Sequence, residues 1–366
     1  MLKVLAFIPL PSPFVMQQLQ ISLEENNCKL DVVSWSQNPH RDHWDMNKSD
    51  LLYSELSYIR KFIRVLSILD RYDRVIVSGY REIFLIQVVN LFRKIELRKF
   101  VVGPLEMVRT DLSVKGYIRS KIIKFALRKI KLVLAVGKVA HSFYQSHTES
   151  AVIDYIYSYD YGLSATNRKI SQSTNFMNYE KSKKKRILYS GALNSRRNLN
   201  ELLQALVILR TQNIENFELI ISAPLSDIQA VANAKDLILR YDLGAHCSWD
   251  SPKRGWNNII EIYSDVDILV VPNIYSTWNL TIQEALLHGV PVISTIQTVA
   301  AIHFIIPAIN GELYSSGDVT GLVEKLKRFL EDEYYFSKIQ QNCRFLSSQI
   351  IPFESNRVEF DRYFYS

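Results

Sequence analysis

Short apolar runs rich in Val, Ile and Leu recur along the chain, each followed by a longer stretch with helical spacing. Runs that are apolar at successive positions suit strands buried on both faces, as in a parallel sheet covered by helices on either side. In the first half they fall at Lys3–Pro9, Lys29–Ser34, Arg74–Ser78, Lys99–Gly103 and Leu132–Ala135. In the second half they fall at Arg186–Ser190, Phe217–Ser222, Ile268–Val271 and Val292–Ser294, with helices expected over about 198–211 and 226–241. Between the halves, the segment SATNRKISQSTNFMNYEKSKKK has few apolar residues and no usable periodicity, which marks a connector. At 366 residues the chain exceeds the ~250–300 at which a single core stops growing. The reading is therefore α/β, with two Rossmann-like, doubly wound domains in tandem facing a ligand cleft. We place the first domain at 1–170, the linker at 171–185, the second domain at 186–345 and a terminal segment at 346–366.

Composition excludes several classes. Cys28, Cys247 and Cys343 lie far apart with no CxxC spacing, so neither a disulfide framework nor a zinc site is expected, and a reducing cytoplasm fits. The start MLKVLAFIPLPSP is too short in apolar residues for a signal segment and reads as a first buried strand. The longest stretch without Asp, Glu, Lys or Arg, Ala285–Gly311, is broken by His288, Pro291, Gln297, His303, Pro307 and Asn310, so no membrane span is expected.

The net charge of +7 is uneven: residues 91–140 hold thirteen Lys and Arg against Glu96, Glu106 and Asp111. A solvated face, an anionic membrane surface and nucleic acid are the readings of such a run. Nucleic acid is set aside because no aromatic stacking motif accompanies the run. Over a helix expected at about 113–131, Lys121, Lys124, Arg128 and Lys131 fall within an arc of about 80° that also holds Tyr117. Ile118, Ile122, Ile123, Ala126, Leu127 and Ile130 are expected on the opposite, packed side. The cationic side is the candidate membrane-facing surface, which would place the protein peripherally on the inner face of a membrane.

The most informative stretch runs from Ser264 to Thr295, SDVDILVVPNIYSTWNLTIQEALLHGVPVIST. A buried strand enters a turn, a short helix carrying Glu284 follows, Gly289 ends it, and a second buried strand begins. The helix N-terminus near Thr277–Thr281 offers backbone N–H groups to a phosphate or sugar hydroxyl. A carboxylate at Glu284 would repel phosphate, but it can accept hydrogen bonds from the two hydroxyls of a ribose.

This stretch resembles retaining glycosyltransferase family 4, a GT-B family, through the pattern "aDvfvlPS..E.FG...lEAma.G.PVi.t". The resemblance implies a ribose-binding role for Glu284, and it sets Ser276 where the family usually has the Glu that contacts the donor sugar. A second segment, RILYSGALNSRRNLNELLQALVIL at 186–209, resembles "ilyvGrl...KgvdlLieA...l". On that register Gly191 is the loop glycine and Arg197 takes the place of the Lys that binds the donor diphosphate. Ala192 replaces the companion Arg, a loss for which Arg196 or Lys253 can substitute.

The donor-site candidates are thus Glu284, Arg197, Arg196, Gly191, Trp278, Asn279, Leu280 and Thr281, and the catalytic candidates are Glu106, Arg197 and Ser276. Glu106 follows the strand after which the family often places a His touching donor sugar or acceptor. Weaker echoes include FELIISAP, NNIIEIYSDVD, NGELYSSGD and a last helix that crosses back to the first domain; PLPSPF and QTVAAI depart from the family's glycine pairs.

The implied activity is hexosyl transfer with retention from a nucleoside diphosphate sugar, UDP- or GDP-linked, to an oligosaccharide or lipid-linked acceptor in polysaccharide biosynthesis, without a metal. The alternative is a catalytically inactive GT-B-like protein that binds a glycan or a partner transferase, motivated by Ser276, Ala192 and the missing glycines. A dinucleotide-dependent oxidoreductase fails for want of GxGxxG after either first strand.

Overall fold

The computed structural model describes residues 1–9, 23, 27–35, 52, 56–108, 113–155, 184–225, 227–250 and 262–347. They form two compact units, each with its own sheet. The expected terminal helix beyond 347 and the expected linker, apart from Lys184 and Lys185, lie outside the described residues. Lys185, placed in the linker by the sequence, is the first residue of a strand.

In the first unit, strands β1 (Leu2–Ile8), β2 (Cys28–Ser34), β3 (Arg74–Val77), β4 (Phe100–Leu105), β5 (Leu132–Val136) and β6 (Ala151–Tyr155) form a parallel sheet in the order β2-β1-β3-β4-β5-β6. Four helices are described: α1 (Tyr58–Ile68), α2 (Tyr80–Asn90), α3 (Val114–Ala126) and α4 (Gly137–Gln145). Apolar side chains from strands, among them Phe7, Val77, Phe100 and Val133, meet Val65, Ile83, Ile86, Ile123 and Tyr144 from helices in one core. Burying each such side chain is worth about 1.5–3 kcal/mol, which is why these runs dominate the sequence pattern. Gly103 permits one close approach: a Cβ there, at φ +144°, would stand 2.5 Å from the Leu134 carbonyl oxygen on the neighbouring strand.

In the second unit, β7 (Lys185–Ser190), β8 (Phe217–Ser222), β9 (Cys247–Asp250), β10 (Ile268–Val271), β11 (Val292–Thr295) and β12 (Gly311–Tyr314) form a parallel sheet in the order β12-β11-β10-β7-β8-β9. Its described helices are α5 (Leu199–Thr211), α6 (Ile228–Arg240), α7 (Leu280–Leu287), α8 (Val299–Phe304), α9 (Val319–Glu331) and α10 (Glu333–Ser347). Asp267, from the DVD run, accepts a hydrogen bond from the Arg186 amide at 2.7 Å, which ties the start of β10 to that of β7.

The strand order reverses between β7 and β10, where successive connections run outward in opposite directions. The carboxyl ends of these two strands therefore open a crevice at the edge of the sheet.

The helix expected over 113–131 is shorter, because the chain leaves helical geometry after Ala126 and Lys129 adopts φ +62°. Lys131 consequently lies beyond the helix, half-buried at the start of β5, its ammonium pulled below the ordinary range by burial and by Arg74. Ile118 is 51% exposed rather than packed. At 100° per residue it stands about 60° from Lys121 and about 140° from the buried Ile123, so it shares the cationic side.

Candidate functional site

Two loops line the crevice of the second unit. The first leaves β7 at Gly191, whose φ of +148° strongly favours glycine, and passes beneath Arg197: the Cδ and Nε of that side chain lie 3.7 Å from where a Cβ on residue 191 would be. Asn194 shapes the single turn Ser195–Arg197, since its Oδ1 accepts from the Arg197 amide at 3.0 Å. Arg197 is half-buried, with Nε and Nη1 out of solvent, whereas Arg196 is exposed. Burial lifts the Tyr189 hydroxyl well above its ordinary range, and the nearby Arg197 charge acts in the opposite direction.

The second loop follows β10. The Ile274 amide donates to the Arg196 carbonyl at 2.9 Å, so the two loops are stitched together. Asn273 and Thr298 are buried and bonded at 3.4 Å, and Thr295 Oγ1 donates to the Asn273 carbonyl at 2.7 Å. Ser276 is 1% exposed and pairs with Thr298 in an isolated bridge; its hydroxyl donates to the Trp278 carbonyl.

Trp278 packs against His303 and Phe304, with ring centroids 5.6 and 5.5 Å apart. Trp278 Nε1 and Asn279 Nδ2 are buried donors with no hydrogen-bond partner among the described residues, an arrangement that costs about 1–3 kcal/mol per group unless a further group, a ligand or water completes it. Asn279 Oδ1 accepts from Thr281 Oγ1 at 2.8 Å, and among the described residues no side chain caps the first turn of α7, which begins at Leu280.

Glu284 lies one turn further along α7 and is 5% exposed. It accepts a hydrogen bond from Tyr263 Oη at 2.6 Å, while His288 Nδ1 sits 2.7 Å from the Glu284 carbonyl oxygen and the His288 ring stacks on Tyr263. Burial, and then the Glu284 charge, raise the Tyr263 hydroxyl well above its ordinary range, so it stays a donor. Burial lowers His288, opposed by its bond to the Glu284 carbonyl and by the carboxylate's charge.

Tyr263→Phe should leave the fold intact and weaken ribonucleotide binding about 5- to 30-fold, or about 1–2 kcal/mol, because losing the bond that orients Glu284 forfeits part of what hydrogen bonds to a charged group are worth. Calorimetric titration with UDP and its 2′-deoxy analogue is the measurement; if Tyr263 orients Glu284, the variant loses part of its preference for the ribose form.

Two groups escaped the sequence reading. Glu201, 4% exposed on α5, accepts from the Gly317 amide at 3.0 Å and from Asn198 Nδ2 at 2.5 Å, bracing the loops after β7 and β12. Its place three residues after Asn198 is the spacing of a capping box, and that signal was available in the sequence. Glu82 is buried at the N-terminus of α2 in the first unit, beside Tyr58, and burial raises its carboxyl. Glu106, the expected acceptor-side carboxylate, is half-buried just after β4, where its carbonyl accepts from Tyr144 Oη at 2.9 Å.

The structure thus brings Gly191, Arg196, Arg197, Ser276, Trp278, Asn279, Leu280, Thr281 and Glu284 to one edge of one sheet. Glu106, Lys121, Lys124 and Arg128 belong to the first unit. Among the described residues no cluster of three or more His, Cys, Asp or Glu could hold a metal ion, and no helix is long and apolar enough to cross a membrane.

Residues 171–344 match the family described as glycosyl transferases group 1. The group 1 match spans both loops and all of α7. No curated protein sequence matches the chain.

Among solved structures, sucrose-phosphate synthase from Thermosynechococcus elongatus is similar over 98% of each chain, with 14% identity and a TM-score of 0.70. Anabaena HepE in complex with UDP is similar over 99% of each chain, with 13% identity and a TM-score of 0.70. The lipopolysaccharide outer core galactosyltransferase WaaB is similar over 98% of this chain and 99% of its own, with 14% identity and a TM-score of 0.63. At these identities the likeness speaks for the fold, which is GT-B.

Proposed function

We propose that the protein is a glycosyltransferase that moves a hexose from a nucleoside diphosphate, UDP- or GDP-linked, to a carbohydrate acceptor with retention of configuration. The observation that carries this reading is the stitched pair of loops at the strand-order reversal. They gather Arg196, Arg197, the uncapped start of α7 and Glu284 within the group 1 segment. The fold neighbour HepE, crystallised with UDP and with UDP-glucose, supports a nucleotide sugar as the ligand.

In this scheme Glu284 accepts hydrogen bonds from the ribose hydroxyls, and Arg197 with Arg196 meets the diphosphate. The α7 amides at Leu280 and Thr281 and the donors of Trp278 and Asn279 face diphosphate and sugar oxygens. As the bond from the anomeric carbon to the diphosphate oxygen breaks, the acceptor oxygen takes its place on the same face of the sugar and its hydroxyl proton passes to the departing diphosphate. The charge growing on the departing diphosphate is stabilised by groups already in position. The cationic side chains and helix end supply the positive charge, so the scheme requires no metal. Glu106 serves the acceptor side. The acceptor is lipid-linked, as in surface polysaccharide assembly, and the protein acts in the cytoplasm at the inner face of a membrane.

Ser276 supports a second reading, a GT-B-like protein that binds a glycan or partner without turnover, because its hydroxyl is committed to the Trp278 carbonyl. A mass-spectrometric screen of UDP-, GDP-, ADP- and CMP-sugars for hydrolysis, run beside calorimetry with the free nucleotides, separates the two. Release of one nucleotide establishes the transferase reading and its donor. Tight nucleotide binding without release from any sugar favours the second, and the absence of both sinks the site assignment.

A further inference from the structure

Four neighbouring strands of the second unit, β12, β11, β10 and β7, each end in a loop, and hydrogen bonds join these loops into a closed circuit. The Ile274 amide donates to the Arg196 carbonyl at 2.9 Å, which links the loops after β10 and β7. The Ser276 amide donates to the Gln297 carbonyl at 3.2 Å and the Val299 amide to the Ser276 carbonyl at 3.0 Å, which links β10 to β11. Gln297 Oε1 accepts from the Ser316 amide at 2.9 Å, which links β11 to β12. Glu201 closes the circuit. Its Oε2 accepts from the Gly317 amide at 3.0 Å and from Asn198 Nδ2 at 2.5 Å, so the loop after β12 returns to the residue that follows Arg197.

Helix capping alone does not account for Glu201. Among the described residues the Asn198 side chain caps no α5 amide; its carboxamide turns onto the Glu201 carboxylate instead. The same carboxylate oxygen holds an amide 116 positions away. That amide is itself anchored, because Asp318 Oδ1 accepts from the Gly321 amide at the start of α9, and α9 packs along α5. The Tyr314 hydroxyl, in a side chain 5% exposed at the end of β12, stands beside the carboxylate. Burial and then the Glu201 charge raise that hydroxyl far above its ordinary range, so it remains a donor.

The circuit reaches Arg197 through the backbone on both sides. Asn194 accepts the Arg197 amide, and Asn198 holds φ 52°, the left-handed conformation that a continued helical turn would not use. Asn enters that region more readily than most residues, yet it is still a minority state, and the bond from its carboxamide stabilises it. Release of Asn198 would let the turn sample other conformations, leaving only a fraction of chains with the guanidinium over Gly191. Apparent ligand affinity falls in proportion to that fraction.

We propose that Glu201 is a positioning residue for the donor diphosphate: by bonding Asn198 and Gly317 at once, it fixes the turn that aims Arg197. It touches no phosphate itself, since a carboxylate would repel one. The inference rests on the reading of Arg197 as a diphosphate ligand.

Calorimetric titration of the full chain with UDP, UMP and uridine tests it. Glu201→Leu, which removes both acceptor oxygens, should weaken UDP about 10-fold, the worth of one hydrogen bond to a charged group, and leave uridine unchanged. Glu201→Gln keeps one acceptor oxygen and should fall between the Leu variant and wild type. Gln297→Ala opens the circuit at another link and should show the same phosphate-selective loss in smaller measure. In an Arg197→Ala background, Glu201→Leu should cost nothing further, because a residue that acts through Arg197 then has nothing left to position.

Wild-type UDP affinity in Glu201→Leu overturns the inference. So does a loss that appears equally with uridine, or one that persists undiminished in the Arg197→Ala background, since either makes Glu201 a brace of the whole unit. A Gln variant as weak as the Leu variant would make the charge rather than the bonds responsible, and overturns it too. Should Glu201→Leu fail to fold, Glu201→Gln and Gln297→Ala carry the same comparison, and wild-type UDP binding in both overturns it. Arg197→Ala alone separates the two claims. If it weakens UDP while the Glu201 variants do not, only the positioning role falls; if it has no effect, the diphosphate reading falls and the positioning role with it.

Discussion

Glu284→Ala is expected to lower nucleotide affinity by two orders of magnitude or more. In the proposed donor site the buried carboxylate accepts from two ribose hydroxyls, and each hydrogen bond to a charged group is worth about 1.5–3 kcal/mol. The same substitution removes the acceptor for Tyr263 Oη, which lies 2.6 Å away in a fully buried setting. Leaving that hydroxyl unsatisfied should cost about 1–3 kcal/mol of stability, and the melting temperature should fall by a few degrees.

The two effects are separable. Adding Tyr263→Phe to Glu284→Ala removes the orphaned hydroxyl, so the double variant should regain much of the lost stability but none of the lost affinity. Calorimetry with UDP and GDP, beside thermal melts of the three proteins, makes the comparison. Wild-type nucleotide affinity in Glu284→Ala would show that this carboxylate is only a structural partner of Tyr263.

The neighbouring His288 adds a pH signature. Because burial lowers its folded-state value, the unfolded chain takes up a proton as pH falls through about 6.5 while the folded chain still refuses it. Its contribution to stability is complete above that pH and declines below it, so this region should destabilise in mild acid before the carboxylates titrate.

How far the sequence disclosed this arrangement depended on what each residue must bury. The central strands β1, β3, β4, β5, β7, β10 and β11 were legible because both faces are covered, which demands runs such as LVLAV and ILVV. The strands that escaped, β6, β9 and β12, are all at sheet edges. They are only four or five residues long and carry Asp154, Asp250 and Glu312, so no apolar run announces them.

The candidate donor-site residues stood out through two contiguous stretches, but their supports did not. Tyr263 meets Glu284 across 21 positions, and Glu201 meets Gly317 across 116, distances over which no local pattern operates. The exposure of Ile118 was misjudged for a different reason. A single helix shows which residues share a face, while the sheet decides which face is covered, and here Gly116, Ile123 and Ala126 turn inward.

Arg197→Ala should weaken binding of a nucleoside diphosphate by 10- to 100-fold and leave binding of the free nucleoside unchanged. Backbone geometry suits this side chain to that task. Gly191 passes beneath it without a Cβ, Asn194 fixes the turn that carries it, and Asn198 at φ 52° redirects the chain into α5 immediately afterwards. With Nε and Nη1 out of solvent, the guanidinium is partly desolvated before a ligand arrives, so less hydration is lost on meeting a diphosphate.

Arg197→Lys should recover only part of the affinity, because an ammonium keeps the charge but loses the planar fork that bonds two oxygens at once. Arg196→Ala should cost less than Arg197→Ala, since Arg196 is exposed and its contribution is screened by water and salt. Titration of wild type and the three variants with UDP, UMP and uridine reads the effect phosphate by phosphate. A loss that appears equally with uridine would mean that Arg197 holds the loop rather than the diphosphate. No loss with UDP would remove it from the site.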